Sequence, residues 1–159
     1  RMQPEALPVE LVPILDGRLG PGAPFPSGER AWAPFPFLGP DLDRLEQPAL
    51  VELGEDPLMH PLFRGGDMAL LDRAYHRRRE PMGDGCYAVD LGPECVVRRV
   101  RRIADRLYAT AASGPEPAID DYISLADRNI LEVVRAKIVW IGRNLEPFPF
   151  APRSTVQTG

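Results

Sequence analysis

A chain of 159 residues, 44% hydrophobic and 26% charged, has the size and composition of one globular domain with an attached flexible segment. Its net charge of −4 argues against a surface that grips a nucleic-acid backbone unaided, since that needs a dominant basic face. No apolar run approaches the ~20 residues that span a bilayer, and no signal-peptide pattern opens the chain, so the expected address is the cytoplasm.

Two cysteines, Cys86 and Cys95, are too few for a disulfide framework or a structural zinc site, and are read as reduced and structural. No cofactor or metal is expected. The 19 prolines and 14 glycines form about a fifth of the chain and favour short strands and many turns, so a mostly β protein is expected. Arg1-Met2 is an unusual opening and suggests a cloning scar or an excised fragment. Pro4, Pro8 and Pro13 interrupt the first residues too often for a helix-turn-helix.

Residues 1–48 hold ten of the prolines and are expected to form an extended arm. Val12, Ile14, Leu15, Trp32, Phe35 and Phe37 are apolar enough to lay that arm against a core, which solvated linkers avoid. A β-domain is expected over 49–146, with strand-like runs at Ala49–Leu53, Met68–Asp72, Cys86–Asp90, Val96–Ile103, Leu107–Ala111, Asp121–Leu125 and Ile130–Ile141. Asp84-Gly85 opens a hairpin whose turn is Leu91-Gly92-Pro93-Glu94. Helical turns are expected near Leu42–Leu45, Pro57–Arg64 and Asp127–Asn129. Residues 147–159 read as a tail.

The most informative stretch runs from Leu58 to Asp72. Leu58-Met59-His60-Pro61 is followed five and six residues after the proline by Gly66-Asp67, and then by an apolar strand. With Ser in place of Leu58, this is the serine elbow of the LexA-like self-cleaving repressors, the S24 peptidase group, and the chain resembles that family from Val12 to Leu145. Val12–Pro24 is similar to the family's cleavage segment, with Gly20-Pro21 or Pro21-Gly22 where Ala-Gly would stand. The lead-in Gly54-Glu55-Asp56-Pro57 is two residues longer than the family's. The spacing of Met59, Pro61, Gly66 and Asp67 nevertheless sets Leu58 at the nucleophile. Pro81–Val89 resembles the strand before the catalytic lysine, Glu94–Val100 the lysine strand with Arg98 in the lysine's place, and Arg135–Leu145 the closing strand.

The resemblance implies a LexA C-terminal-domain-like, signal-peptidase-like β-fold with short helical turns. It also implies a Ser/Lys dyad that this chain lacks. Leucine has no atom that can attack a carbonyl. The family's lysine is a base because desolvation lowers its pKa, whereas arginine stays protonated at any ordinary pH. With Leu58, Arg98 and Gly20-Pro21-Gly22 all altered, the expected activity is none, a pseudo-peptidase. The implied role is a dimerisation and regulatory domain of a LexA-like or phage-repressor-like transcriptional regulator, expected as a homodimer. It would reach DNA only through an N-terminal domain absent here, and would answer to an antagonist protein or a small ligand instead of self-cleavage. Two further readings are an active S24-type serine peptidase with another nucleophile, and a ligand or peptide sensor with Leu58 as the floor of the vestigial cleft.

Other residues carry weaker signals. Arg98 either pairs with Asp56, Glu55 or another acid, or points to solvent, and strand alternation cannot choose. Arg77-Arg78-Arg79 and Arg98–Arg102 read as exposed charges before a nucleic-acid patch. His60 and His76 lack companions at ligand spacing. Ser27, Ser113, Ser124 and Ser154 lie outside any elbow motif, and Trp140 is read as core before base-stacking platform.

Overall fold

The structure is a computed structural model and describes residues 9–36, 45–82 and 85–143. Its strands, in chain order, are β1 (Val9–Leu19), β2 (Glu29–Pro36), β3 (Ala49–Leu53), β4 (Met68–Asp72), β5 (Cys86–Asp90), β6 (Cys95–Ile103), β7 (Arg106–Thr110), β8 (Ile123–Ser124) and β9 (Val134–Gly142). Two short helices, α1 (Tyr75–Arg79) and α2 (Ile130–Val133), and a 3-10 turn at Pro57–Met59 complete the described elements. The chain is mostly β, and all nine strands join one sheet in the order β2-β1-β3-β4-β9-β5-β6-β7-β8.

Every neighbouring pair is antiparallel except β1 and β3, which run parallel through Ile14–Leu50 and Leu19–Leu53. Residues 9–36, expected as an extended arm, are therefore two strands of the sheet itself. Prolines do not prevent this, because Pro34 and Pro36 fall in β2, which pairs only with β1 and so has one side whose amides need no ladder partner. Of the apolar residues of the segment, Val12 and Ile14 are fully buried and Leu15 nearly so, as expected, whereas Phe35 is half-buried and Trp32 is 52% exposed, contrary to the expectation that it would lie against the core.

Three apolar clusters hold the sheet. Leu19, Val51, Leu53, Ala69, Leu71, Ala88, Val97 and Ala136 form the largest, and the turn around Pro57–Met59 covers it with Met59 and Phe63. A second gathers Tyr87, Val100, Leu107, Ile130 and Val133 under α2. The third joins Val12 and Ile14 to Leu50 and Leu70, with Phe35 packed edge-on to Trp140 at 5.1 Å. The run expected as one strand from Ile130 to Ile141 is broken: the Asn129 side chain accepts the Leu131 N–H at 2.9 Å and caps α2 before β9 begins.

Among the described residues no helix is long and apolar enough to cross a membrane. The helical turn expected at Leu42, the residues Phe37, Asp84, Leu145 and Ser154, and the tail over 147–159 lie outside the described residues.

Candidate functional site

The elbow is built by short local bonds on a buried anchor. Asp56 opens the 3-10 turn: its Oδ1 accepts the Leu58 N–H at 3.2 Å, and its backbone carbonyl accepts the Met59 N–H at 2.9 Å. Met59 is fully buried and Phe63 2% exposed, so both clamp the turn to the sheet, while Leu58 between them and solvent is 56% exposed. The Leu58 carbonyl accepts the Ala112 N–H at 3.0 Å, which ties the apex to the segment after β7.

The remaining motif residues close the loop. His60–Pro61 is a cis peptide, and Pro61 is exposed. Gly66 has φ +94°, a left-handed conformation that glycine adopts without strain. Asp67 is 4% exposed; it accepts the Arg64 N–H at 2.9 Å and is clasped by Arg143, Nε to Oδ1 at 2.7 Å and Nη2 to Oδ2 at 3.1 Å. The Arg143 bonds hold the Asp67 carboxyl below its usual pKa, against the opposing effect of burial. On the outer side, exposed Glu55 accepts the Gly65 N–H at 2.8 Å and faces His60 Nε2 at 2.5 Å. The Gly65 amide is the main reason its pKa is lowered, and His60 is accordingly paired with an acid.

Arg98 turns inward to this elbow. Its Nη1 donates to Asp56 Oδ2 at 2.6 Å and to the carbonyl of Val97 at 2.8 Å. The Arg98 side chain is 14% exposed and that of Asp56 2%. One carboxylate thus joins the two residues that the sequence resemblance singled out, holding the Leu58 amide with one oxygen and the Arg98 guanidinium with the other. This is one of the pairings the sequence left open, and it changes what the site can accept. Leu58 is not a cleft floor but an exposed apex, and Arg98 is already neutralised by Asp56, so an anion would have to displace a nearly buried carboxylate. Nothing at Leu58 or Arg98 can attack a carbonyl or take a proton.

The segment that resembles a cleavage site is a hydrogen-bonded turn. Gly20 N–H donates to Cys95 O and Cys95 N–H to Ala23 O, both at 2.8 Å, and Ala23 N–H returns to Gly20 O at 3.1 Å. Gly22 N–H donates to Glu94 Oε1 at 2.8 Å. Gly20 has φ +155° and a Cβ there would lie 3.3 Å from Gly54 Cα, while Gly22 has φ +80°. Both glycines and Pro21 therefore serve a tight turn packed on the start of β6 and on the elbow's first glycine. Burial pushes the Cys95 thiol up to about 12, so it is a protonated packing group.

The weaker signals fall into structural roles. Arg77 pairs with Asp72 at 2.8 Å, Arg79 lies over Tyr75, Arg101 reaches Glu116 at 3.2 Å and Arg102 reaches Glu80 at 3.7 Å. Ser124 Oγ accepts the Ala126 N–H within its own turn. Ser113 directly follows Ala112, the residue bonded to Leu58, and motif reasoning had no means of singling it out. The chain matches no family model, and no curated protein matches it.

Proposed function

We propose that this chain is the self-association and regulatory domain of a LexA-like or phage-repressor-like transcriptional regulator acting in the cytoplasm, with a LexA C-terminal-domain-like fold retained and the self-cleavage chemistry lost. The observation that supports the reading is the turn at Pro57–Met59: Asp56 accepts the Leu58 N–H with one oxygen and the Arg98 guanidinium with the other, bringing together the two positions at which the resemblance sets the dyad. A two-fold dimer sets two DNA-binding heads at fixed spacing, which is sufficient reason to keep such a domain without its chemistry. DNA contact then belongs to an N-terminal domain outside this chain, and induction to an antagonist protein or small ligand.

Intact mass after prolonged incubation at alkaline pH tests the loss of cleavage, with an unchanged chain expected. A second reading, an active serine peptidase, rests on Ser113 beside the Ala112–Leu58 bond. A specific break between Leu19 and Ala23 that disappears in Ser113→Ala would establish that reading and remove the first.

A further inference from the structure

We propose that the groove between the β5–β6 turn and α2 is a binding site for a small oxyanion, a phosphate or carboxylate group carried on a compact apolar body. Arg78, Arg128 and Arg135 line one cavity of about 650 Å3 together with Leu91, Leu131 and Val133. That volume is within the range of small-molecule sites, and its lining is more charged than most, with Leu91, Leu131 and Val133 as the apolar wall.

Two of the three guanidinium groups are already fixed. Arg78 donates Nε to Val134 O at 2.8 Å and Nη2 to Leu131 O at 2.6 Å, while Arg135 donates Nη1 to Asp90 Oδ2 at 2.7 Å and lies 4.3 Å over the Phe25 ring. Arg78, held by neutral carbonyls, keeps its charge and loses little rotamer freedom on meeting an oxyanion, whereas Arg135, paired with Asp90, shapes the wall of the groove. The acids in the lining are Asp90 and Glu132. Asp90 is occupied by Arg135, and Glu132 is exposed, so the carbonyl-bound Arg78 and exposed Arg128 present positive charge with no carboxylate between them in any bond described. Burial and then the charges of Arg135 and Arg73 lower the Arg78 pKa, a crowding of cations that a bound anion relieves.

The site shares no lining residue with the Leu58–Arg98 elbow and does not depend on the repressor reading. Its position is nevertheless suggestive of control. Asp90 Oδ1 accepts the Gly92 N–H at 2.9 Å to shape the β5–β6 turn, and the far end of that turn, Glu94 and Cys95, holds the Gly20–Ala23 turn. Ligand and turn thus rest on one support.

The test is titration of the protein with inorganic phosphate and with phenyl phosphate at matched ionic strength, read by calorimetry and by the arginine Nε–H resonances. Saturable one-site binding is expected, tighter for phenyl phosphate because Leu91, Leu131 and Val133 receive the ring. Arg128→Ala should weaken both about tenfold, as loss of a charged hydrogen-bonding partner does. Glu132→Gln, which removes a like charge, should tighten both about twofold. A purely structural cluster would move neither. Unsaturable binding, or equal affinity in wild type and both variants, overturns the proposal.

Discussion

Asp56 and Arg98 make the elbow a matter of stability, because two nearly buried charges depend on each other. Removing one leaves the other without its partner, a loss of about 3 kcal/mol or more for a buried pair. Asp56→Ala and Arg98→Ala should each destabilise strongly, and the double variant should cost less than their sum, as read by a denaturant double-mutant cycle. Leu58→Ala at the exposed apex should stay within about 0.5 kcal/mol, whereas Met59→Ala, one residue on and fully buried, should cost about 2–5 kcal/mol. Asp67 contributes to the acid limb of stability. Its carboxyl is held below its usual pKa by Arg143, so the folded state favours the carboxylate. The contribution is fully present above the unfolded value of about 4 and is lost as pH falls through the lower folded value. Asp67→Asn should therefore lower stability at neutral pH and flatten its decline below about pH 4, measured by thermal melts across pH. This pairing lay beyond sequence reasoning, since Arg143 is 76 residues from Asp67 and only the β4–β9 register brings them together.

Among elements, those bounded by clear turn residues were legible. Ala49–Leu53, Met68–Asp72 and Cys86–Asp90 coincide with β3, β4 and β5, while the helical turn expected over Pro57–Arg64 is confined to a 3-10 turn at Pro57–Met59. The misses have physical causes. Tyr75–Arg79 carries no side-chain N-cap, and no residue in it is buried, so α1 has neither the start signal nor the apolar stripe that a helix usually shows. β1 and β2 were obscured by prolines that read as breakers but occupy strand positions. The alternation of β6 could not tell an inward Arg98 from an outward one, because the acid that draws it in is 42 residues earlier. Hydrogen exchange separates a strand from a tethered arm: β1 pairs with β2 from Val9 to Leu15 and meets β3 at Ile14, so amides of Val12, Ile14 and Leu15 should exchange as slowly as those of β3. Exchange at the rate of a free peptide there, with β3 protected, would contradict the pairing. Gly20→Ala should loosen the end of β1, since its φ and its approach to Gly54 both resist a side chain.

For the whole molecule, the proposed role requires two copies. Ile138 belongs to the chain's own core, whereas Trp140 is 42% exposed against Phe35 and is the apolar β9 residue left available to a second copy. Sedimentation over a range of concentrations should show a dimer, and Trp140→Ala should shift it toward monomer. A strictly monomeric wild type at high micromolar concentration would remove dimerisation from the reading. The order of the sheet has a separate consequence for synthesis. β9 is the last of the described strands in chain order, yet it lies at the centre of the sheet, between β4 and β5. Until the ribosome has released Gly142, the first four strands and β5–β8 are two half-sheets whose inner edges are open to other chains. The nascent protein therefore cannot mature piece by piece. The two halves join only once β9, Val134–Gly142, has emerged to pair between them.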